Sequence, residues 1–267
     1  MDFLHDLRGR NEALFFFGAA CLLASLFFLG LTRVSNIQVY QVNAWFKPFK
    51  FAVSTWLFAW AMGWYCHYLH HFPTHVFNWT VIGLLGFEIV YIAWQAGRGE
   101  QSHYNTSTPV YAALFSMMAL AASVVTLFTA YAGYRFFVEP FPELPAHYVW
   151  AIRLGILIFV VFSFEGFLMG SRLSHSVGAT NDNSDLWAIG WSRTVGDLRV
   201  AHFIGMHALQ VLPVVSFYVL RSTRWTWVIA VLYGALAVFT LVQALQGRPL
   251  FPQSPNPAPD QGGTIYD

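Results

Sequence analysis

The chain has 267 residues, 57% hydrophobic and only 10% charged, and its 14 Lys+Arg against 13 Asp+Glu leave a formal net charge of +1. Soluble domains run at roughly 45–50% apolar and about 25% charged, so an ordinary soluble fold is excluded, and a near-neutral chain has no basic field to hold nucleic acid. With 26 Phe, 12 Tyr, 11 Trp and only two cysteines, neither a disordered chain nor a disulfide scaffold fits; the composition is that of a polytopic membrane protein.

A hydrocarbon layer about 30 Å thick requires roughly 20 apolar residues per helix. Seven stretches meet that length: Ala13–Thr32, Phe49–Leu69, Val76–Ala96, Pro109–Gly133, His147–Gly170, Val200–Leu220 and Trp225–Gln246. A lipid-facing backbone must satisfy its own N–H and C=O groups, and no stretch alternates as a barrel strand does, so the expected fold is an all-α, seven-transmembrane helix bundle over residues 1–247. Residues 248–267 form a Pro/Gly-rich tail expected to be extended or disordered. Arg8 and Arg10 precede the first run, but that run is long and has no small-x-small cleavage site, so it reads as a retained span. Loops at the end of the bundle bearing Arg8 and Arg10, here end A, alternate with those at the opposite end B. End B holds more Lys and Arg, but the excess vanishes when Arg98, Arg172 and Arg199 are set aside as functional, which leaves orientation open. Cys21 and Cys66 read as small apolar fillers.

Ionisable residues inside a span are costly and mark function by default. In the third span Glu88, Tyr91, Gln95 and Arg98 share one helix face, and in the fifth Glu165 and Arg172 stand seven residues apart on one face that His175 extends. The sixth span begins at end B with Asp197, Arg199 and His202 and continues inward to His207 and Gln210. The polar connector from Arg98 to Pro109, including His103 and Asn105, lies at the same end and is placed to cap a cavity there. Lys47 and Lys50 reach its rim or serve as snorkelling anchors. The alternative is an interhelical network that pairs Glu88 or Glu165 with Arg172, Arg98 or Arg153 and only fixes packing.

Imidazole and carboxylate together suit iron, zinc or copper, so His202, His207 and Glu165 are the candidate metal ligands, with haem b as the alternative in which Gly205 lets a flat macrocycle approach. His202 and His207 are five residues apart, about 140° around a helix, so one ion takes both only if the helix starts after His202 or distorts. Among the remaining groups, His103, His175, Glu88 and Asp197 are candidates for acid/base catalysis, and Arg98, Arg172, Arg199, Gln95, Gln210 and Asn105 for binding an anionic substrate. His67-Tyr68-Leu69-His70-His71 fits the H-x-x-H-H box of membrane desaturases, but Trp60, Trp64, His67 and His71 read better as an aromatic interfacial face. Asn78-Trp79-Thr80 and Asn105-Thr106-Ser107 are glycosylation sequons, Asp182-Asn183-Ser184-Asp185 is a turn with weak calcium-site character, and Gly166 to Gly170 is a GxxxG helix contact.

Arg98-Gly99 with Ser102-His103-Tyr104-Asn105, and the run Gly196 to Gln210 (GDLRVAHFIGMHALQ), together with Lys47-Pro48-Phe49-Lys50-Phe51 and His175-Ser176-Val177-Gly178, resemble a group of bacterial multi-pass integral membrane proteins without an assigned activity. The resemblance implies a bacterial inner-membrane location and adds weight to end B, but implies no substrate. The expected function is a metal- or haem-dependent membrane enzyme or redox protein acting on a lipid-soluble or amphipathic anionic substrate. Its alternatives are a proton- or anion-coupled transporter, and an accessory subunit of a membrane complex or oligomer.

Overall fold

The computed structural model describes residues 3–39, 41–178 and 190–253, and it is all-helical. A short helix α1 (Phe3–Arg10) leads into α2 (Glu12–Val34), α3 (Phe46–Cys66), α4 (Thr74–Gly97), α5 (Pro109–Val138), α6 (Ala146–Arg172), α7 (Leu198–Val215) and α8 (Thr223–Leu245). Six of these, α2 and α4 to α8 with α7 carried on to Leu220, are long and apolar enough to cross a membrane. Helix α3 is 21 residues long but less apolar, and its buried positions include Ala52, Ala59 and Met62 at 0% exposure, so it occupies the interior of the bundle. Every apolar stretch recognised in the sequence is therefore helical. The second ends at Cys66 rather than Leu69, so His67 and His71 leave the helix and do not share a face with Trp60 and Trp64.

Local chemistry sets the helix ends. Asn11 caps α2 by accepting from Leu14 N at 3.1 Å, and Thr108 caps α5 ahead of Pro109, whose missing N–H is harmless in the first turn. Asp197 caps α7 through Arg199 N. Leu173 ends α6 at φ 48°, a left-handed turn that carries the chain away from the helix axis. A π-helical turn, Ser216–Leu220, prolongs α7 after Pro213.

The core runs through α3, α4, α5, α6 and α7 around Met62, Phe77, Phe136, Ile152, Ile156 and Leu209. Helices α6 and α7 interlock at glycines. A methyl group on Gly155 would stand 2.8 Å from Ala208 O, and one on Gly205 would stand 2.1 Å from Phe162 Cγ. The macrocycle approach expected at Gly205 is thus closed, because Phe162 fills that space. Two antiparallel two-residue pairs complete the fold. β1 (Gln38–Val39) pairs with β2 (Val42–Asn43), and β3 (Ser176–Val177) with β4 (Gly196–Asp197) in the register Ser176 opposite Asp197. The second pair draws the strand after α6 onto the start of α7, where Leu198 N donates to His175 O at 2.9 Å.

Residues 248–253 fold back instead of extending away. Gln243 Nε2 donates to Pro249 O, Gln253 N donates to Arg193 O, and Phe251 lies parallel to Trp191 at 6.5 Å. The Asp182–Asp185 turn and the rest of the tail lie outside the described residues.

Candidate functional site at end B

Five chain segments bring polar groups together at end B: the first turns of α3, the 98–108 connector, the last turns of α6, the β3–β4 pair and the first turns of α7. Asp197 and Arg199 form the frame. The Asp197 side chain is 1% exposed and accepts from Ser192 N at 2.9 Å, from Arg199 N at 3.0 Å and from Arg199 Nε at 2.9 Å. Arg199 Nη2 closes the fork on Asp197 Oδ2 at 2.6 Å and also donates to Gly190 O. Burial pushes the Asp197 carboxyl upward, but these hydrogen bonds from Arg199 outweigh it and hold it below the usual carboxylate range. Because the fork is spent on Asp197, Nη1 is the face of Arg199 turned toward Gly190, where a methyl group on the glycine would meet it at 3.8 Å and Lys50 Nζ at 3.5 Å.

His202, one turn further into α7, rests on the bare backbone of Gly166, where a methyl group would meet its Cε1 at 3.2 Å. Its Nδ1 is 2.8 Å from Phe162 O and 3.3 Å from Glu165 Oε2. A carbonyl can only accept, so Nδ1 carries the proton and Nε2 is left as the basic nitrogen. That proton points at the carbonyl, so both Glu165 oxygens are buried without a hydrogen-bond partner among the described residues. Gly166 of the GxxxG thus receives a histidine ring, while Gly170 meets nothing within 4 Å.

The connector places His103 between Phe51 and Phe115, at ring distances of 5.4 and 6.2 Å, with Nδ1 3.2 Å from Ser102 Oγ. Burial, then the charge of Lys47, then His202 push its conjugate acid well below the ordinary histidine range, so His103 is neutral. His175 is neutral for the same first reason, at about 4, with Arg199 adding to the effect. Tyr104 adopts φ 60°, a strained left-handed conformation for a tyrosine, and feels Arg199, Glu165 and Asp197; burial raises its hydroxyl to about 12. Gln95 and Asn105 turn out to hold the connector in shape. Gln95 Nε2 donates to Gln101 O at 3.0 Å and to Tyr91 OH at 3.3 Å. Asn105 donates to Gln101 O and accepts from Ser107 N and Oγ. With Asn105 and Asn78 buried and hydrogen-bonded, neither sequon is presented.

Other expected members are elsewhere. Arg98 and Arg172 are exposed at helix ends, and neither pairs with Glu88 or Glu165. Glu88 is buried within α4, 7% exposed, with no hydrogen bond or ion pair among the described residues. His207 packs its ring on Phe203 at 4.3 Å, with the Gln210 side chain beside it. Helix α7 is continuous from Leu198 through both histidines, so their 140° separation stands and one ion cannot take both. Among the described residues no group of three or more His, Cys, Asp or Glu is placed to hold a metal, the end A histidines included. Of the expected set, His202 and Glu165 lie side by side, while His207 projects from another face of α7. Surface hollows of about 350 Å³ against His5, Arg8, Gly9 and Glu12, and of about 200 Å³ against Phe239, Val242, Gln243, Gln246 and Arg248, do not reach the cluster.

Sequence reasoning undervalued Lys47 and passed over Tyr104. The signal for Lys47 was its recurrence with Lys50 at i, i+3 on the helix that starts at the end where the other polar faces converge; the left-handed Tyr104 has no sequence signature. No family model, curated protein or solved structure matches the chain, so the chemistry of the site rests on its own geometry.

Proposed function

We propose that the chain is a seven-span integral membrane protein, with α3 as the seventh crossing, and that its end B cluster is the reactive site of an enzyme acting on a lipid-soluble or amphipathic anionic substrate. The observation that carries this reading is the meeting of Lys47, His103, Glu165, Asp197, Arg199 and His202 from separate segments at one end of an otherwise apolar bundle. Cations orient the anionic group. Neutral His103 and the Nε2 of His202 are bases, and Glu165 beside His202 supplies a carboxyl that completes an acid/base pair. The donor set supports acid–base chemistry better than metal or haem chemistry, since it gathers two bases and a carboxyl but no ligand triad.

Incubating detergent-purified protein with a total membrane lipid extract, and comparing the lipids by mass spectrometry with those from His103→Asn and His202→Asn variants, tests the reading. The expected result is conversion of an anionic lipid that both substitutions abolish. Conversion unaffected by either would remove the site assignment. A reducible Soret band, or stoichiometric iron, zinc or copper, would replace acid–base chemistry with the cofactor-dependent alternative.

Glu88 favours a second reading. A buried carboxyl in the middle of α4 with no hydrogen bond or ion pair among the described residues is what a proton-coupled transporter places on its path. Proton flux into proteoliposomes that is lost in Glu88→Gln would support transport; equal flux in both would dismiss it.

A further inference from the structure

The outer face of α8 finishes at end B in a small structure of its own. Phe239, Val242 and Gln246 recur at i, i+3 and i+7 and so share one face of the helix. Phe239 is 59% and Val242 46% exposed, on a helix long and apolar enough to cross a membrane, so hydrocarbon is the surrounding that suits them. Gly247 then adopts φ 75°, a left-handed turn open to glycine. The turn is tied twice, by Gly247 N donating to Ala244 O at 2.9 Å and Arg248 N donating to Gln243 O at 3.1 Å, the paired bonds of a Schellman motif. Gln243 Nε2 also donates to Pro249 O at 2.9 Å, so Arg248 is held from both sides. The chain is thereby brought back beside the last turn of α8, where Arg248 lines the hollow of about 200 Å³ together with Phe239, Val242, Gln243 and Gln246.

Along α8 the lining of this hollow passes from apolar to polar to cationic, and it includes no acidic side chain among the described residues. A phospholipid has the same order, from acyl chain through ester to phosphate. The scale agrees as well. Val242 and Gln246 stand four residues apart, about 6 Å along the axis, and the interfacial layer of a bilayer is about 5–7 Å thick on each side. Complementing the helix dipole would explain a cation at this end, but not its return onto the face where Phe239 and Val242 are bare.

We propose that the hollow on α8 is a phospholipid-binding site: an acyl chain lies along Phe239 and Val242, the Gln246 amide donates to an ester carbonyl, and the Arg248 guanidinium donates to the phosphate. The site is separate from the Asp197–Arg199 cluster and does not depend on the activity proposed there.

The test is native mass spectrometry of the detergent-purified chain titrated with palmitoyl-oleoyl-phosphatidylglycerol and with palmitoyl-oleoyl-glycerol, which lacks the phosphate. The expected result is saturable binding of the phosphatidylglycerol, with affinity roughly ten- to a hundredfold weaker in Arg248→Gln, the loss typical of one hydrogen bond between charged groups. Arg248→Lys should recover part of it, which separates lipid binding from a folding defect. Arg98→Gln, at an exposed arginine that ends α4, should leave the affinity unchanged. An equal loss in Arg98→Gln would overturn the proposal, because lipid would then be attracted by the cations of end B at large. Equal affinity for palmitoyl-oleoyl-glycerol would overturn the phosphate contact on which the site is built. Phosphatidylglycerol binding unchanged in Arg248→Gln, or no saturable binding at all, would leave the hollow to another occupant and overturn the proposal outright.

Discussion

The two ends of the bundle treat their polar groups in opposite ways. At end A the buried polar side chains among the described residues are closed off. Arg10 lies 3.7 Å over the Trp64 ring and donates to Tyr68 OH at 2.6 Å. Asn11 and Asn78 exchange both of their amide bonds, at 2.9 and 3.0 Å. Glu139 accepts from Arg135 Nε at 2.6 Å and from His70 N at 3.3 Å, and Arg153 Nε donates to Phe136 O at 2.7 Å. At end B the Asp197–Arg199 frame and the connector amides are closed, but among the described residues Lys47 and the Glu165 oxygens make no hydrogen bond. Saturated polar groups fix a structure; unsaturated buried ones cost free energy and persist where something else uses them. The difference is why end B, and not end A, is the candidate site.

The largest expected effect comes from breaking the one closed pair at end B. Asp197→Ala removes a nearly buried carboxylate, its helix cap and three hydrogen bonds, and leaves Arg199 without its counter-charge. A loss of about 3–5 kcal/mol is expected, read as a fall in melting temperature in detergent. An equal fall in Lys47→Gln would erase the distinction between frame and site.

Acid should also distinguish the ends. His175 in the folded chain titrates at about 4, below the ordinary 6.5, so its neutral form favours folding above pH 6.5. That contribution is lost as pH falls from 6.5 to 4, because the unfolded chain takes up the proton first. The depressed Asp197 carboxyl adds a further loss at lower pH, below the unfolded carboxyl range. The melting temperature is therefore expected to decline from pH 6.5 to 4, and His175→Gln to flatten that decline; a parallel profile would show that burial of this imidazole does not matter.

Asn78→Ala at end A should cost about 1–3 kcal/mol, since it leaves the buried Asn11 amide without its partner. It should leave the lipid conversion proposed for end B untouched, and a change in that conversion would mean that the ends are coupled. The smallest expected effect on stability is that of Lys47→Gln, within about 0.5 kcal/mol of the parent, because no hydrogen bond or ion pair among the described residues is lost.

Much of this fold could be read from hydropathy, because a membrane span must be long and apolar whatever it packs against. Each of the seven stretches is helical, and errors fall at ends set by short-range geometry, as at Cys66 and at the left-handed Leu173. Helix α1 escaped because only Phe3, Leu4 and Leu7 give it apolar character and only Leu7 is buried. The site was legible as a direction: Asp197, Arg199, His202, Glu165, His103 and His175 all belong to the end toward which the polar faces rise. Its membership was less legible. A helical projection gives an azimuth but not where a helix stops, so Arg98 and Arg172, each at the last turn of its helix, seemed to continue faces that they leave. Lys47 required knowing that α3 lies inside the bundle, and the partnering of Gln95 and Asn105 depends on the path of the connector.

The glycine interlock of α6 with α7 has a mechanical meaning. With Phe162 seated in the space at Gly205 and Gly155 pressed on the Ala208 carbonyl, these two helices behave as a single strut, and sliding or splaying them would mean lifting an aromatic ring out of its socket at mid-bundle. The 98–108 connector is built differently: no helix interlocks with it, and it keeps its path through a few amide bonds from Gln95 and Asn105 and a left-handed Tyr104.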